Sequence, residues 1–172
     1  MHHPVLRLGE VCAEVVVVIA PDAPETTLPV GANARFVHDE REGEGPLAGL
    51  LSGLDTASTE LALVAGGDMP DLSTAVLLEM LRVAGEAPVD AVALQDGDRF
   101  RPLPNLVRVV PARQAAHALL HTGERSLRSL LHALRTAVID EATWTASDPS
   151  RGTLHDVDQP ADLVDSGIDA LE

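Results

Sequence analysis

The unbroken apolar run Val15 to Ile19 has no polar interruption, the pattern of a strand covered on both faces rather than one facing water. Ahead of it, Val5, Leu6, Leu8 and Val11 fall at roughly helical spacing and predict a helix that feeds the strand. Pro21 to Pro29 reads as loop, and Arg35 to His38 as a short second strand. Asp39 to Gly45 is charged, glycine-rich and aperiodic, hence a surface loop. From Pro46, the residues Leu47, Leu50, Leu51 and Leu54 return at helical intervals, with proline at its favoured first position. Leu61 to Ala65 predicts a third strand that stops at Gly66-Gly67-Asp68-Met69-Pro70.

Ser73 can cap a helix whose Val76, Leu77, Met80, Leu81 and Ala84 form one stripe closed by Gly85. Ala91 to Leu94 predicts a fourth strand, Asp96-Gly97-Asp98 a turn and Leu106 to Val110 a fifth strand. Pro111 opens a helix that Gly123 closes, and Ser126 precedes Leu127, Leu130, Leu131 and Leu134 on another. Ala137 to Ile139 is a weak edge strand, and Pro160 starts a terminal helix. Strands alternating with helices predict an α/β domain of three α/β/α layers, its sheet parallel or mixed and covered on both sides.

Composition narrows the partners. At 172 residues the chain suits one domain with a full core, residues 1–172. A formal charge of −15 gives it no general drive toward nucleic acid or an anionic membrane. The single cysteine, Cys12, cannot form an internal disulfide, and no stretch has the length or flanks of a signal peptide or membrane span, so a cytoplasmic protein is expected. All side-chain cations other than histidine are arginines; the sequence contains no lysine.

The candidate chemistry begins with Asp68, a carboxylate at the carboxyl end of a buried strand, where open α/β sheets bind ligands. A second acidic site, His155-Asp156-Val157-Asp158-Gln159-Pro160, lies near the other end of the chain. In an extended segment Asp156 and Asp158 point the same way, and Mg2+ commonly takes one or two carboxylates with water and phosphate oxygens. Asp68 with Asp156 or Asp158 fits that demand; equally, either late aspartate fits as the cap of a helix starting at Pro160. Gly45-Pro46-Leu47-Ala48-Gly49 lies where a loop meets a helix N-terminus, so exposed N–H groups and small residues admit a base or ribose to the backbone. The alternative is an ordinary proline-started helix with Gly49 serving tight packing. His117 and His121 are four apart but read as a solvent-facing pair, Cys12 as a small core residue, and no serine sits in a nucleophile-elbow pattern.

Together, Gly45-Pro46-Leu47-Ala48-Gly49, the helix after it, and Leu61 to Ala65 with Gly67-Asp68-Met69-Pro70 resemble the molybdenum cofactor guanylyltransferase family. Arg101-Pro102-Leu103, Gly123-Glu124-Arg125-Ser126-Leu127 and His155 to Leu163 are similar to later family segments, Asp156 and Asp158 standing where the family has asparagines. The resemblance implies a Rossmann-like nucleotidyltransferase fold and Mg2+-dependent transfer of GMP from GTP to molybdopterin, with a homodimer or a molybdoenzyme-maturation partner as further possibilities. It implies that Asp68 holds the metal, that Gly45, Leu47, Ala48 and Gly49 border guanine and ribose, and that Asp39 matches an aspartate near the nucleotide.

The family opens with a strand and a glycine-rich, lysine-bearing loop that cradles the triphosphate. The present chain matches from the helix after that loop, so an N-terminally incomplete domain is expected, its first, central strand missing and the neighbouring strands left with unpaired edges or apolar gaps. Two other readings follow: a non-catalytic relic that binds a pterin or partner, and a related nucleotidyltransferase with another phosphorylated acceptor.

Overall fold

A computed structural model describes residues 2–39 and 43–155. Helix α1 (His2–Gly9) leads into strand β1 (Val15–Ile19), and a loop connects this to β2 (Ala34–His38). The chain continues through α2 (Pro46–Thr56), β3 (Leu61–Val64), α3 (Thr74–Glu86), β4 (Ala91–Asp96) and β5 (Arg99–Arg108). Then come α4 (Val109–His121), α5 (Leu127–Ala133), β6 (Thr136–Ile139), α6 (Glu141–Ser147) and a 3-10 turn at Gly152–Leu154. The terminal helix expected at Pro160 falls outside the described residues.

The strands form two separate sheets. One pairs β1 with β2 in parallel; the other has the order β3-β5-β4-β6, with β5 antiparallel to both neighbours and β4 parallel to β6. Helix α2 fixes the relative direction of the two. Ser52, just past its middle, bonds Asp39 beyond the end of β2, while the carbonyl of Thr56 at its far end accepts from Arg35 near the start of β2. So α2 carries the chain back along β2, and β3 starts at the same end as β1 and β2. Only β5 runs the other way.

The apolar stripes read from the sequence pack as three layers. On one face Val76, Leu77 and Met80 of α3 and Trp144 of α6 cover Val92, Leu94 and Leu106, with Leu8 and Val11 from the α1 region packed against them. On the other, Leu54, Ala112 and Leu131 cover Ala91, Ala93 and Val107, and Leu47, Leu51, Ala116, Leu127 and Leu130 join α2, α4 and α5. At Ser73 the cap is not the one expected: the side chain makes no bond to its own helix, and the Ser73 N–H donates to Thr153 Oγ1 at 3.1 Å instead. Ser126 does cap α5, its side chain accepting from the Arg128 N–H. Among the described residues no helix is long and apolar enough to cross a membrane.

Candidate active site

Asp68 lies in a tight loop pinned from below. Met69 and Leu72 are almost fully buried, the Met69 N–H donates to the Gly66 carbonyl, and the Gly66 N–H donates to Met69 Sδ. Asp68 itself is exposed. Its carboxylate folds back over Gly66 so closely that a Cβ there would lie 2.2 Å from Oδ1. Gly66 is therefore the glycine that makes room for this carboxylate, whereas Gly67 has nothing within 4 Å of its Cβ position. No described side chain pairs with Asp68, which leaves both oxygens to solvent or a ligand.

The second wall is the junction of β2 and α2. Asp39 follows β2, its N–H bonded to the Ile19 carbonyl and its carboxylate accepting from Ser52 Oγ at 2.8 Å. Gly45 caps α2 at φ 82° and ψ −178°, a conformation essentially confined to glycine, and Arg125 Cβ sits 3.3 Å from where its Cβ would be. Gly49 faces Asp39, its Cβ position 3.8 Å from Oδ2. The tight packing weighed for Gly49 belongs to Gly53, where a Cβ would come within 3.2 Å of Val18 Cγ2.

Asp39, Gly45, Pro46 and Gly49 line one cavity of about 710 Å3 together with Gly66 and Gly67. Four of the residues expected at the nucleotide and the two glycines that precede Asp68 thus share one cavity at the carboxyl ends of β2 and β3. Leu47 and Ala48 are fully buried and are not among the residues lining the cavity; Leu47 packs in the cluster that joins α2 to α4 and α5. The exposed N–H groups expected at this helix start are also largely absent, because Pro46 has none and that of Leu47 donates to the Arg125 carbonyl.

Asp156 and Asp158 lie outside the described residues, but the chain leading to them is placed. Gly152 packs so closely on Asp71 that a Cβ would lie 2.9 Å from Asp71 Cβ, and His155 Nδ1 is 3.5 Å from Asp71 Oδ2. Arg101 Nη2 donates to the Leu154 carbonyl at 3.4 Å. The chain from Gly152 to His155 therefore packs on Asp71, close after Asp68 in the same loop. Among the described residues no group of three or more histidine, cysteine or acidic side chains is arranged to hold a metal. His117 and His121 are exposed, and His117 Nε2 lies 3.8 Å from Asp55. Cys12 is half-buried, and burial pushes its thiol up, away from the thiolate a nucleophile needs.

Arg125 was part of a recognised segment but had no role from sequence. It backs the Gly45 turn with its carbonyl and Cβ, and its guanidinium donates to the Leu120 and Glu124 carbonyls, with Nη2 3.9 Å from Glu44. Its neighbour Glu124 is held below the usual carboxylate range by the backbone N–H groups of Arg125 and Ser126.

Residues 1–138 match the MobA-like NTP transferase domain. The chain belongs to this family. Among curated members it is 31% identical over 168 residues to the probable molybdenum cofactor guanylyltransferase of Chloroflexus aggregans, covering 95% of this chain and 76% of that protein. It is 34% identical over 117 residues to the molybdenum cofactor guanylyltransferase of Pseudomonas aeruginosa, covering 68% of this chain and 57% of that one. The chain thus spans little more than half the length of the Pseudomonas relative. The solved molybdopterin-guanine dinucleotide biosynthesis protein A of Archaeoglobus fulgidus superposes with a TM-score of 0.66 at 22% identity, over 77% of this chain and 66% of that one. A 2-C-methyl-D-erythritol 4-phosphate cytidylyltransferase from Thermus thermophilus gives 0.68 at 21%, over 94% and 83%. At those identities the likeness establishes the fold, a Rossmann-like nucleotidyltransferase architecture. For this member of the MobA-like family, the crevice between Gly45 and Asp68 is the natural place to look for nucleotide chemistry.

Proposed function

We propose that the crevice binds GTP and directs GMP onto the phosphate of molybdopterin. An oxygen of the acceptor phosphate attacks the α-phosphorus, the bond from that phosphorus to the bridging oxygen breaks, and pyrophosphate leaves. The reaction needs in-line positioning and charge neutralisation, with no covalent intermediate on the protein. The single observation that carries this reading is the shared crevice, which brings Asp39 and the glycine-edged, proline-started helix at Gly45, Pro46 and Gly49 to one cavity with Gly66 and Gly67, the two glycines that precede Asp68.

In this reading Gly45 and Gly49 let the base and ribose approach the backbone, and Asp39, fixed by Ser52, faces them. The donor set suits Mg2+: Asp68 offers hard, unpaired oxygens, and Mg2+ accepts one or two carboxylates and takes the rest from water and phosphate. Asp68 would hold it, and Asp156 or Asp158, which follow directly on His155, would add a second acid. When bound, the ion offsets charge on the phosphates.

Calorimetric titration of GTP with Mg2+ into the full chain and into Asp68→Ala tests this. The expected result is Mg2+-dependent heat from the unmodified chain and at least about tenfold weaker binding by the variant, with folding retained because Asp68 is exposed and unpaired. Absence of heat, or equal affinity of both proteins, defeats the reading. Tighter binding of CTP than GTP would overturn the choice of GTP as the donor.

A further inference from the structure

Two arginines among the described residues lie over aromatic rings, and they differ in what meets their donors. Arg151 lies over Trp144, its guanidinium carbon 5.1 Å from the ring centroid. Its Nη2 donates to Asp96 at 2.9 Å and its Nη1 to Glu141, so one ring and two carboxylates share the cation. Arg128 lies over Phe100, 5.6 Å from the centroid. There, among the described residues, no acid pairs with the guanidinium. A ring attracts the cation but is no match for its five N–H donors, which want oxygen acceptors.

The second stack is held in place from beneath. Phe100, opposite Gln95 on β4, is half-buried and packs against the core cluster that includes Leu131 of α5. His132, one turn on from Arg128 in α5, meets the same ring edge-on, with centroids 5.0 Å apart and planes at 62°. It is exposed and also has no acidic partner among the described residues. Most other arginines in this chain of net charge −15 hold a carboxylate, Arg7, Arg35, Arg108 and Arg135 among them. Unmet donors at Arg128, in a molecule so rich in acids, point to an acid that comes from outside. A guanidinium already resting on a ring has lost part of its rotamer freedom, so ordering it around an incoming carboxylate costs less.

We propose that Phe100, Arg128 and His132 form a docking site for an acidic peptide segment of a partner protein, which sets a carboxylate on Arg128 as Asp96 and Glu141 do on Arg151. The spacing specifies the segment further. Side chains one helical turn apart stand about 6 Å from each other, and alternate side chains of an extended peptide about 6.5 Å. Acids at alternate positions therefore reach Arg128 and a donor nitrogen of His132 together. Helix α5 starts at Leu127, which lines the cavity of the candidate active site, so the bound segment lies on a helix that forms part of its wall. The proposal rests on side-chain chemistry and stands independently of the nucleotide reading.

Side-chain NMR of the full chain in about 50 mM salt tests it, at a screening length that leaves such contacts measurable. The probe is an acetylated, amidated peptide of about eight residues with glutamate at alternate positions and serine between, and its control has glutamine for each glutamate. The expected result is a saturable shift of the Arg128 Nε–H signal with the first peptide and none with the second. Arg128→Gln should weaken binding about fivefold or more, whereas Arg113→Gln, which removes an α4 arginine that has neither ring nor ion pair, should leave it within about twofold. Arg128 donates no side-chain hydrogen bond within the fold, and its signal in the unmodified chain decides the matter without any variant. The proposal is overturned if that signal does not move, or if both variants weaken binding equally, since the attraction is then general charge. Inorganic phosphate that shifts Arg128 as far at the same concentration would assign the site to a phosphate ligand and overturn it. A shift that grows with protein concentration in the absence of peptide would assign it to a second copy, with the same consequence.

Discussion

Two glycines near the crevice have different physical jobs. Gly45 holds a backbone conformation that a side chain resists, so it serves the fold, whereas Gly66 has no left-handed φ and serves the Asp68 carboxylate above it. Gly66→Ala should therefore displace that carboxylate, which is exposed and free to swing, while Met69 Cγ at 3.3 Å yields by a small rotation. Binding of GTP with Mg2+ is expected to weaken about ten- to hundredfold, as when a group that orients a metal ligand is lost. The melting temperature should stay within about 3 °C of the unmodified chain. Calorimetry and thermal unfolding on one preparation measure both; unchanged affinity would mean that the position over Gly66 is immaterial. At this scale the loop that carries Asp68 was legible because its setting is local: a strand, two glycines and a proline. The burial of Leu47 was not legible, because which side of α2 meets α4 and α5 depends on chain more than sixty residues away.

Among the elements, the segment from Asp148 to His155 packs beside the loop that carries Asp68, through Asp71 and Ser73. Asp148 is nearly buried, and burial pushes its carboxyl up, but bonds from Ser150 Oγ at 2.6 Å and the Thr153 N–H at 2.7 Å outweigh this and hold it below its ordinary value. A carboxyl depressed on folding contributes stability that is present above its unfolded pKa, about 3.8, and is lost as pH falls through the lower folded value. Asp148→Asn should accordingly cost about 1–3 kcal/mol near pH 7, and the gap to the unmodified chain should narrow below about pH 3. Urea unfolding at the two pH values checks it; a penalty independent of pH would show that shape, not charge, matters there.

Two other elements show why sequence reading stopped short. β5 begins at Arg99 rather than Leu106. Pro102 and Pro104 are tolerated within it because they sit where the ladder with β4 jumps from Ala93 and Asn105 to Leu94 and Arg101, and beyond the end of β3, so neither owes a ladder bond. Helix α6 was missed because its buried apolar content is Trp144 alone, which gives no stripe; the available signal was the cap Asp140, which accepts from the Thr143 N–H.

For the molecule as a whole, the gap between the sheets divides stability unequally. The alternation of strands and helices sufficed to read the layers, and the resemblance anticipated unpaired edges beside a missing strand; the direction of β5 was not legible, since a long strand and a hairpin turn leave similar apolar runs. Among the described residues none of the three main buried clusters contains a residue of β1 or β2, although Val15 and Ile19 at the ends of β1 are buried. Those two strands form a pair by themselves, and a two-stranded ribbon is marginal in water unless something covers it. Here α1 and α2 supply the cover, while β4 lies between β5 and β6 with helices on both faces. Native-state hydrogen exchange should thus separate the molecule into two units. The amides of Val17 and Ile19, turned toward β2, are expected to exchange about a hundredfold faster than those of Val92 and Leu94, because opening the small sheet breaks one ladder and leaves the main core intact. Equal rates would instead show that α2, which touches both sheets, couples them into a single cooperative body despite the gap.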